Sequence, residues 1–140
     1  MTVKDTTEMI AGMTPALMPG RWVYCCETDP GRVARLAVNA LAIIHEAEGI
    51  TLILPQDIAS AEGHDASLAM RQITLNVFSD LEGVGLTAAV AQALTDIDVS
   101  CNVVAGFHHD HVFVPVGAAQ RAVETLRALQ KAARATHEKD

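Results

Sequence analysis

Three histidines and an aspartate stand together at His108-His109-Asp110-His111, and imidazole and carboxylate groups are common zinc ligands. His109 and His111 lie two residues apart, so they would share one face of a strand that began there. A structural zinc site normally takes four ligands, and no further thiol or imidazole lies nearby in the sequence. We therefore favour a hairpin turn with polar side chains and expect no metal at this cluster.

A second segment with chemical potential runs from Ser79 to Leu86, where Gly83 and Gly85 come just before an apolar helical pattern. Glycines ahead of a helix expose backbone N–H groups, and a helix N-terminus favours an anionic group such as a ligand carboxylate. The alternative is that the two glycines only shape a tight turn from a strand into a helix. The residues by themselves leave both interpretations open.

The three cysteines are Cys25, Cys26 and Cys101, an odd number without any C-x-x-C spacing. Neighbouring residues on a strand point to opposite faces, so Cys25 and Cys26 indicate one core residue and its neighbour in a reducing compartment. No histidine or acid is placed locally to activate either thiol. We expect no catalytic residue, no cofactor and no enzyme activity.

The composition excludes two classes of partner. The formal net charge is −7, from 17 acids against 10 lysines and arginines, so the chain lacks the positive charge that binds nucleic-acid phosphates. With one Trp and one Tyr, it also lacks the aromatic surface on which bases stack. The longest apolar runs are far shorter than the roughly 20 residues of a membrane-spanning helix. Met1 to Glu8 has no apolar core of a signal peptide, and we expect a cytoplasmic protein.

The second half of the chain has clear periodicity. Side chains alternate along a predicted strand from Gln72 to Phe78, and an apolar stripe predicts a helix from near Val84 or Gly85. Two apolar strands around a short polar link predict a hairpin, and an amphipathic pattern predicts a final helix. The hairpin strands are Val99–Ala105 and Asp110–Val116, and the helix is Ala118–Ala135.

The first half has weaker signals. Residues Met1 to Arg21 predict a short helix or loop, and a strand follows from Trp22 to Glu27. Pro30 and Gly31 after Asp29 indicate a turn. Val33 to Glu48 fits a helix or, from Leu41 onward, a strand, and periodicity does not decide between them.

The residues beyond that ambiguous stretch favour a hairpin whose second strand is Ile50–Leu54. Pro55 and Gly63 then mark the start and the end of a short helix, Gln56–Gly63. The small, polar stretch Gly63–Ser67 is the expected boundary between a first unit, residues 1–66, and a second, residues 67–140.

The order strand, Gly-containing turn, helix, hairpin, helix in the second half resembles the ACT domain family, which has a ferredoxin-like fold. The resemblance rests on Ser79-Asp80, on Gly83-Val84-Gly85-Leu86 at the helix start, on Ser100 to Val104 and on His111 to Val114. Over nearly the whole chain, the sequence looks most similar to small bacterial tandem ACT-like proteins of uncharacterised function, and distantly to the ACT repeats of arginine sensors. Glu46 to Leu52 and His109 to His111 contribute to that closer match.

This resemblance implies an α/β (α+β) protein of two ferredoxin-like ACT units in tandem. The first unit is expected to be incomplete, because no clear Gly-turn-helix follows its first strand. By family analogy, an amino acid binds where the Gly-containing turn meets a strand of a neighbouring unit. The implied ligand-binding residues are Ser79, Asp80, Gly83, Val84, Gly85, Leu86, Asn102, Val103 and Asp110.

The expected function is therefore a regulatory protein that binds a small molecule, most simply an amino acid, and that forms a homodimer. The shortage of helices in the first half supports the dimer, since an apolar strand surface without a covering helix is normally buried against another chain. The alternative from another class is a structural dimerisation module that has no ligand.

Overall fold

The computed structural model describes residues 5–77 and 84–139, with side chains through residue 136. In chain order, the helices and strands are α1 (Thr6–Ala11), β1 (Pro15–Leu17), β2 (Trp22–Glu27), α2 (Pro30–Leu36), β3 (Ala42–Glu46), β4 (Gly49–Pro55), α3 (Gln56–Ala61), β5 (Met70–Leu75), α4 (Leu86–Asp96), β6 (Asn102–Ala105), β7 (Asp110–Pro115) and α5 (Ala119–Lys139). No helix within the described ranges is long and apolar enough to cross a membrane.

The chain forms two compact units. The inner unit is Gly20–Met70, and the outer unit combines Met1–Pro19 with Arg71–Asp140. Each contains the succession strand, helix, two hairpin strands, helix: β2-α2-β3-β4-α3 in the inner unit and β5-α4-β6-β7-α5 in the outer one. The predicted pair of ferredoxin-like units is confirmed.

The inner unit has an antiparallel sheet in the order β3-β4-β2. Cys25 lies opposite Leu52, and the β3–β4 hairpin closes where Glu46 lies opposite Gly49. One face of the sheet packs on the helices, because alternate strand residues are apolar. The core of this unit consists of Val23, Cys25, Leu36, Leu52, Leu54 and Ala59.

Helix α2 corrects the prediction that the first half lacks a helix after its first strand. The carboxylate of Asp29 accepts a hydrogen bond from the backbone N–H of Arg32 at 2.9 Å, and Pro30 occupies the first helical turn. An aspartate at the N-cap followed by proline starts a helix as readily as it makes a turn. The inner unit therefore has both helices of its fold, and the predicted shortage of helices was wrong.

The outer unit has the strand order β1-β5-β7-β6, with β1 antiparallel to β5 and β6 antiparallel to β7. The apolar stripe of α4 is buried as predicted, and α5 buries its own stripe on the same core. Strand β6 begins at Asn102, three residues later than Val99, because Asp98 has a φ of 59° and the chain turns there. The fully or almost fully buried residues include Ile73, Leu75, Val90, Leu94, Val112, Val114, Val123 and Leu126.

Residues 5–19, here called the N-terminal arm, belong to the outer unit by their contacts. The backbone N–H of Asn76 donates to the carbonyl of Met13 at 2.6 Å, and the side-chain amide of Gln130 donates to the carbonyl of Ala11 at 2.9 Å. The predicted division placed the whole of residues 1–66 in the first unit. By its contacts the arm packs with the outer unit, where β1 pairs with β5, and the boundary near residue 66 stays a prediction.

Candidate functional site

The turn that precedes α4 has the conformation of a glycine-dependent helix start. Gly85 is the N-cap residue with φ 108°, and its carbonyl accepts the first helical bond from Ala89 at 2.9 Å. A left-handed φ strongly favours glycine, so this position fits the predicted turn. Ser79, Asp80 and Gly83 lie outside the described residues.

The N-terminal arm contacts this turn directly. The hydroxyl of Thr6 donates a hydrogen bond to the carbonyl of Val84, whose side chain is 78% exposed. Gly85 is so close to Thr6 that a side chain at position 85 would overlap it. Val84 and Gly85 therefore contact α1 on one side, while Val84 is also open to solvent.

The remaining predicted binding residues divide into two groups. Leu86 is 4% exposed and Val103 packs on the same apolar core, so a ligand would meet their backbone rather than their side chains. Asn102 is exposed and Asp110 is half-buried. Asn102 begins β6, which among the described strands pairs with β7 alone.

The histidine cluster is held by hydrogen bonds within the outer unit. His111 Nδ1 lies 3.1 Å from Gln72 Nε2 and 3.0 Å from Thr74 Oγ1, and His109 Nδ1 lies 3.1 Å from the carbonyl of Val77. Burial lowers the pKa of His111, and His109 lowers it further, while Asp110 opposes both. Among residues 5–77 and 84–139, no group of three His, Cys, Asp or Glu side chains could hold a metal ion.

Two of the three cysteines lie in surroundings that disfavour the reactive thiolate. Cys25 is buried and Cys101 is half-buried, and burial raises the pKa of both thiols, with Glu27 raising that of Cys25 further. The thiolate is the reactive form of cysteine, so a raised pKa makes these thiols less reactive at neutral pH.

The inner unit has a pocket of about 570 Å³ where β2 leads into α2, at the position that corresponds to the Gly85 turn of the outer unit. Helix α2 and the β3–β4 hairpin form opposite walls. Volumes of about 300 to 1,000 Å³ are typical of small-molecule sites. The lining residues are Glu27, Thr28, Pro30, Val33, Ala34, His45, Ala47, Glu48, Gly49 and Ile50.

Glu27, at the end of β2, is the buried charge of this pocket. Its Oε2 lies 2.8 Å from Arg32 Nε and 2.9 Å from His64 Nε2. Burial alone would raise the pKa of Glu27, but the hydrogen bonds and charges of these two partners lower it below its ordinary value. Glu27 is therefore ionised at neutral pH.

A second layer of charges fixes Arg32. Its Nη2 donates to the carbonyl of Glu62 at 2.9 Å. The Glu62 carboxylate is in turn bound by Arg35, whose Nη1 and Nη2 each contact one of its two oxygens. Paired arginine–carboxylate contacts of this kind fix geometry as well as charge. Arg32 is thus held in place behind Glu27.

Sequence reasoning missed this pocket and left His64 without a role. Glu27 and His64 are separated by 37 positions, so the sequence does not indicate that they meet. Val33 and part of the hairpin lie in the stretch whose pattern fitted either a helix or a strand, so the two walls of the pocket were not recognised. One usable signal was Asp29-Pro30, an N-cap pair that places a helix directly after β2.

Two family models match the chain in tandem, both described as ACT domain, over residues 2–71 and 68–128. A crystal structure of a Vibrio cholerae protein of unknown function, described as a possible transport protein, is similar at 39% identity and a TM-score of 0.77, covering 86% of this chain and 92% of that one.

The chain belongs to the ACT domain family.

ACT domains are generally ligand-binding regulatory modules. Two more distant structures share the fold. The ligand-free regulatory subunit of aspartate kinase from Thermus thermophilus has 12% identity and a TM-score of 0.59, covering 82% of this chain and 95% of that one. The aspartate kinase of Clostridium acetobutylicum has 10% identity and a TM-score of 0.63, covering 82% of this chain and 34% of that one. No curated protein sequence matches this ACT chain significantly.

Proposed function

We propose that this ACT protein is a non-catalytic regulatory protein of the cytoplasm that binds an amino acid and passes its presence to another protein. The observation that carries the proposal is the pocket of about 570 Å³ at the β2–α2 turn, with apolar walls and the buried carboxylate of Glu27. Such a combination of apolar surface with a few fixed polar groups is typical of small-molecule sites.

The equivalent turn of the outer unit supports a second site of the same kind. Gly85 holds the chain at a helix start with φ 108°, and α4 has the length to favour an anion at its N-terminus. The proposed contacts at this second site come from the turn and from the hairpin. They are Ser79, Asp80, Gly83, Val84, Gly85, Leu86, Asn102, Val103 and Asp110.

We also propose a homodimer. Among the described strands, β3 pairs with β4 alone, and Ile43 and Ile44 on this outer strand are 42% and 44% exposed. An outer strand with exposed apolar side chains is a ready template for pairing with another chain. This exposed strand also favours the second candidate function, a dimerisation module without a ligand.

A thermal-shift screen against the proteinogenic amino acids tests the proposal. A ligand that binds only the native state raises the unfolding midpoint in proportion to the logarithm of its concentration. We expect at least one amino acid to do so while the other compounds leave the midpoint unchanged. A uniform absence of shifts, with a stable dimer, would favour the dimerisation module.

A further inference from the structure

One oxygen of the Glu27 carboxylate, which lines the inner pocket, has no hydrogen-bond partner among the described residues. The Glu27 side chain is 9% exposed, and both of its partners, Arg32 Nε and His64 Nε2, contact the same atom, Oε2. No hydrogen bond from a described residue reaches Oε1, although Glu27 forms part of the pocket wall. Oε1 is not one of the fully buried side-chain atoms that lack a partner, so it is accessible. An ionised carboxylate oxygen of this kind accepts strong, charge-assisted hydrogen bonds.

The other lining residues determine which donor fits. The polar lining residues include Glu27, His45 and Glu48, and none of the ten lining residues is Lys or Arg. An ammonium group entering the pocket would meet the carboxylates of Glu27 and Glu48, whereas a carboxylate would meet no lysine or arginine among the lining residues. The charge of the pocket therefore favours the amine end of a molecule.

The walls define the rest of the ligand. Pro30, Val33 and Ala34 come from α2, and Ile50 comes from β4 of the hairpin. An aliphatic chain would bury apolar surface on them, which favours binding.

We propose that this pocket recognises the primary ammonium group of an aliphatic molecule through Oε1 of Glu27, with the alkyl part against Val33 and Ile50. Arg32 and His64 act as positioning residues, because they hold Oε2 and so orient Oε1 toward the pocket. The inference rests on the proposed function and adds to it the group by which the ligand is recognised. The carboxylate of an amino acid would be directed toward the open side of the pocket.

Three matched probes separate this inference from the proposed function. Leucine carries both charged groups, 3-methylbutylamine lacks only its carboxylate, and 4-methylpentanoate lacks only its amine. Each is titrated into ¹⁵N-labelled protein while the amide shifts of Val33, Gly49 and Ile50 are followed. We expect leucine and the amine to shift these amides with affinities that agree within about tenfold, and the acid to cause no change.

The outcomes that contradict the inference are distinct. Binding of 4-methylpentanoate but not of the amine at these amides would show that the carboxylate is recognised, and the pocket would keep its proposed function. Binding of an amino acid that shifts only amides elsewhere would overturn the inference alone. If no proteinogenic amino acid bound anywhere, the proposed function and the inference would both fail.

A pair of variants tests the role of Glu27 itself. Glu27→Gln removes the charge at constant size and should weaken binding of 3-methylbutylamine by about tenfold or more, since hydrogen bonds to charged groups are stronger than those between neutral groups. Asp57→Asn is the control, because Asp57 is an exposed carboxylate of the same unit that neither lines the pocket nor contacts Glu27, Arg32 or His64. Circular dichroism checks that both variants fold; if Glu27→Gln does not, the probe series on the natural protein decides. Equal affinity in the two variants would contradict the inference.

Discussion

A Cβ atom placed on Gly85 would lie 2.6 Å from Oγ1 of Thr6 and 2.9 Å from its Cγ2. The same Thr6 hydroxyl donates to the carbonyl of Val84, so the N-terminal arm and the turn before α4 fit against each other at this residue. The turn that sequence reasoning selected as a ligand site is thus also the docking point of the arm.

This contact predicts the effect of Gly85→Ala. The variant should be less stable by about 1 to 3 kcal/mol, because φ 108° is unfavourable for alanine and because its methyl group overlaps Thr6. Urea unfolding measures the loss. Gly117→Ala is the matched control, since no heavy atom lies within 4 Å of a Cβ at that position.

The double variant Thr6→Ala/Gly85→Ala separates the two causes. Removing Oγ1 and Cγ2 of Thr6 relieves the overlap but leaves the backbone strain at position 85. We expect partial recovery of stability relative to Gly85→Ala. Equal stability of Gly85→Ala and Gly117→Ala would contradict the described geometry.

The charge cluster of the inner unit predicts a dependence of stability on pH. The pKa of Glu27 lies below its ordinary value near 4.5, because hydrogen bonds from Arg32 and His64 outweigh the effect of burial. The unfolded chain therefore takes up this proton first as the pH falls. The stabilisation is fully present above the ordinary pKa and is lost as the pH falls through the folded pKa.

Urea unfolding of the natural protein and of Glu27→Gln between pH 7 and pH 3 checks this. The difference in free energy of unfolding should be constant near neutral pH and should shrink below about pH 4.5, where the carboxyl of the unfolded chain becomes protonated. A difference that did not change with pH would show that Glu27 is not ionised in this cluster.

His111 predicts a second pH effect, in the outer unit. An amide N–H of Gln72 points at His111 Nδ1 at 3.1 Å, so Nδ1 must be unprotonated to accept it. Burial lowers the pKa of His111 below 6.5, and the unfolded chain binds the proton first. Stability should therefore decrease as the pH falls from 6.5 toward the folded pKa.

An NMR titration of the His111 ring should give a midpoint below 6.5. In Gln72→Glu, a carboxylate replaces the amide beside Nδ1, and the midpoint should rise. A midpoint at or above 6.5 in the natural protein would contradict the described environment.

The exposed β3 strand predicts how a dimer can be broken. Light scattering over a dilution series should show a dimer of the natural protein at micromolar concentration, and Ile44→Lys should shift it toward monomer, because lysine on an outer strand opposes pairing. Val38→Lys is the control, since Val38 is 83% exposed and lies outside β3. A natural protein that was monomeric at these concentrations would contradict the proposed dimer.

The order of elements in the second half could be predicted because its periodicity changes sharply from strand to helix to strand. The stripe of Leu86, Val90 and Leu94 is buried as predicted, and the β3–β4 hairpin of the first half was also predicted. Strand β1 could not be predicted in the same way. It is three residues long and includes Pro15, and its partner Leu75 is distant in sequence, so no local period indicates the pairing.

The turn before α4 was located from its glycines, and Gly85 has the left-handed φ that a glycine-dependent turn requires. The inner pocket was not found, since Glu27, Val33 and Ile50 come together only through tertiary packing. The missed helix α2 has a local cause: the same Asp-Pro pair begins a β-turn or a helix, and the hydrogen bond to Arg32 decides for the helix.

Amino-acid binding without catalysis is tested most directly by isothermal titration calorimetry with the amino acid that gives the largest thermal shift. Mass spectrometry of that amino acid after prolonged incubation with the protein shows whether it is converted. We expect saturable binding and recovery of the amino acid unchanged. Absence of saturable heat for every proteinogenic amino acid, or conversion of the bound one into a product, would contradict a non-catalytic amino-acid-binding function.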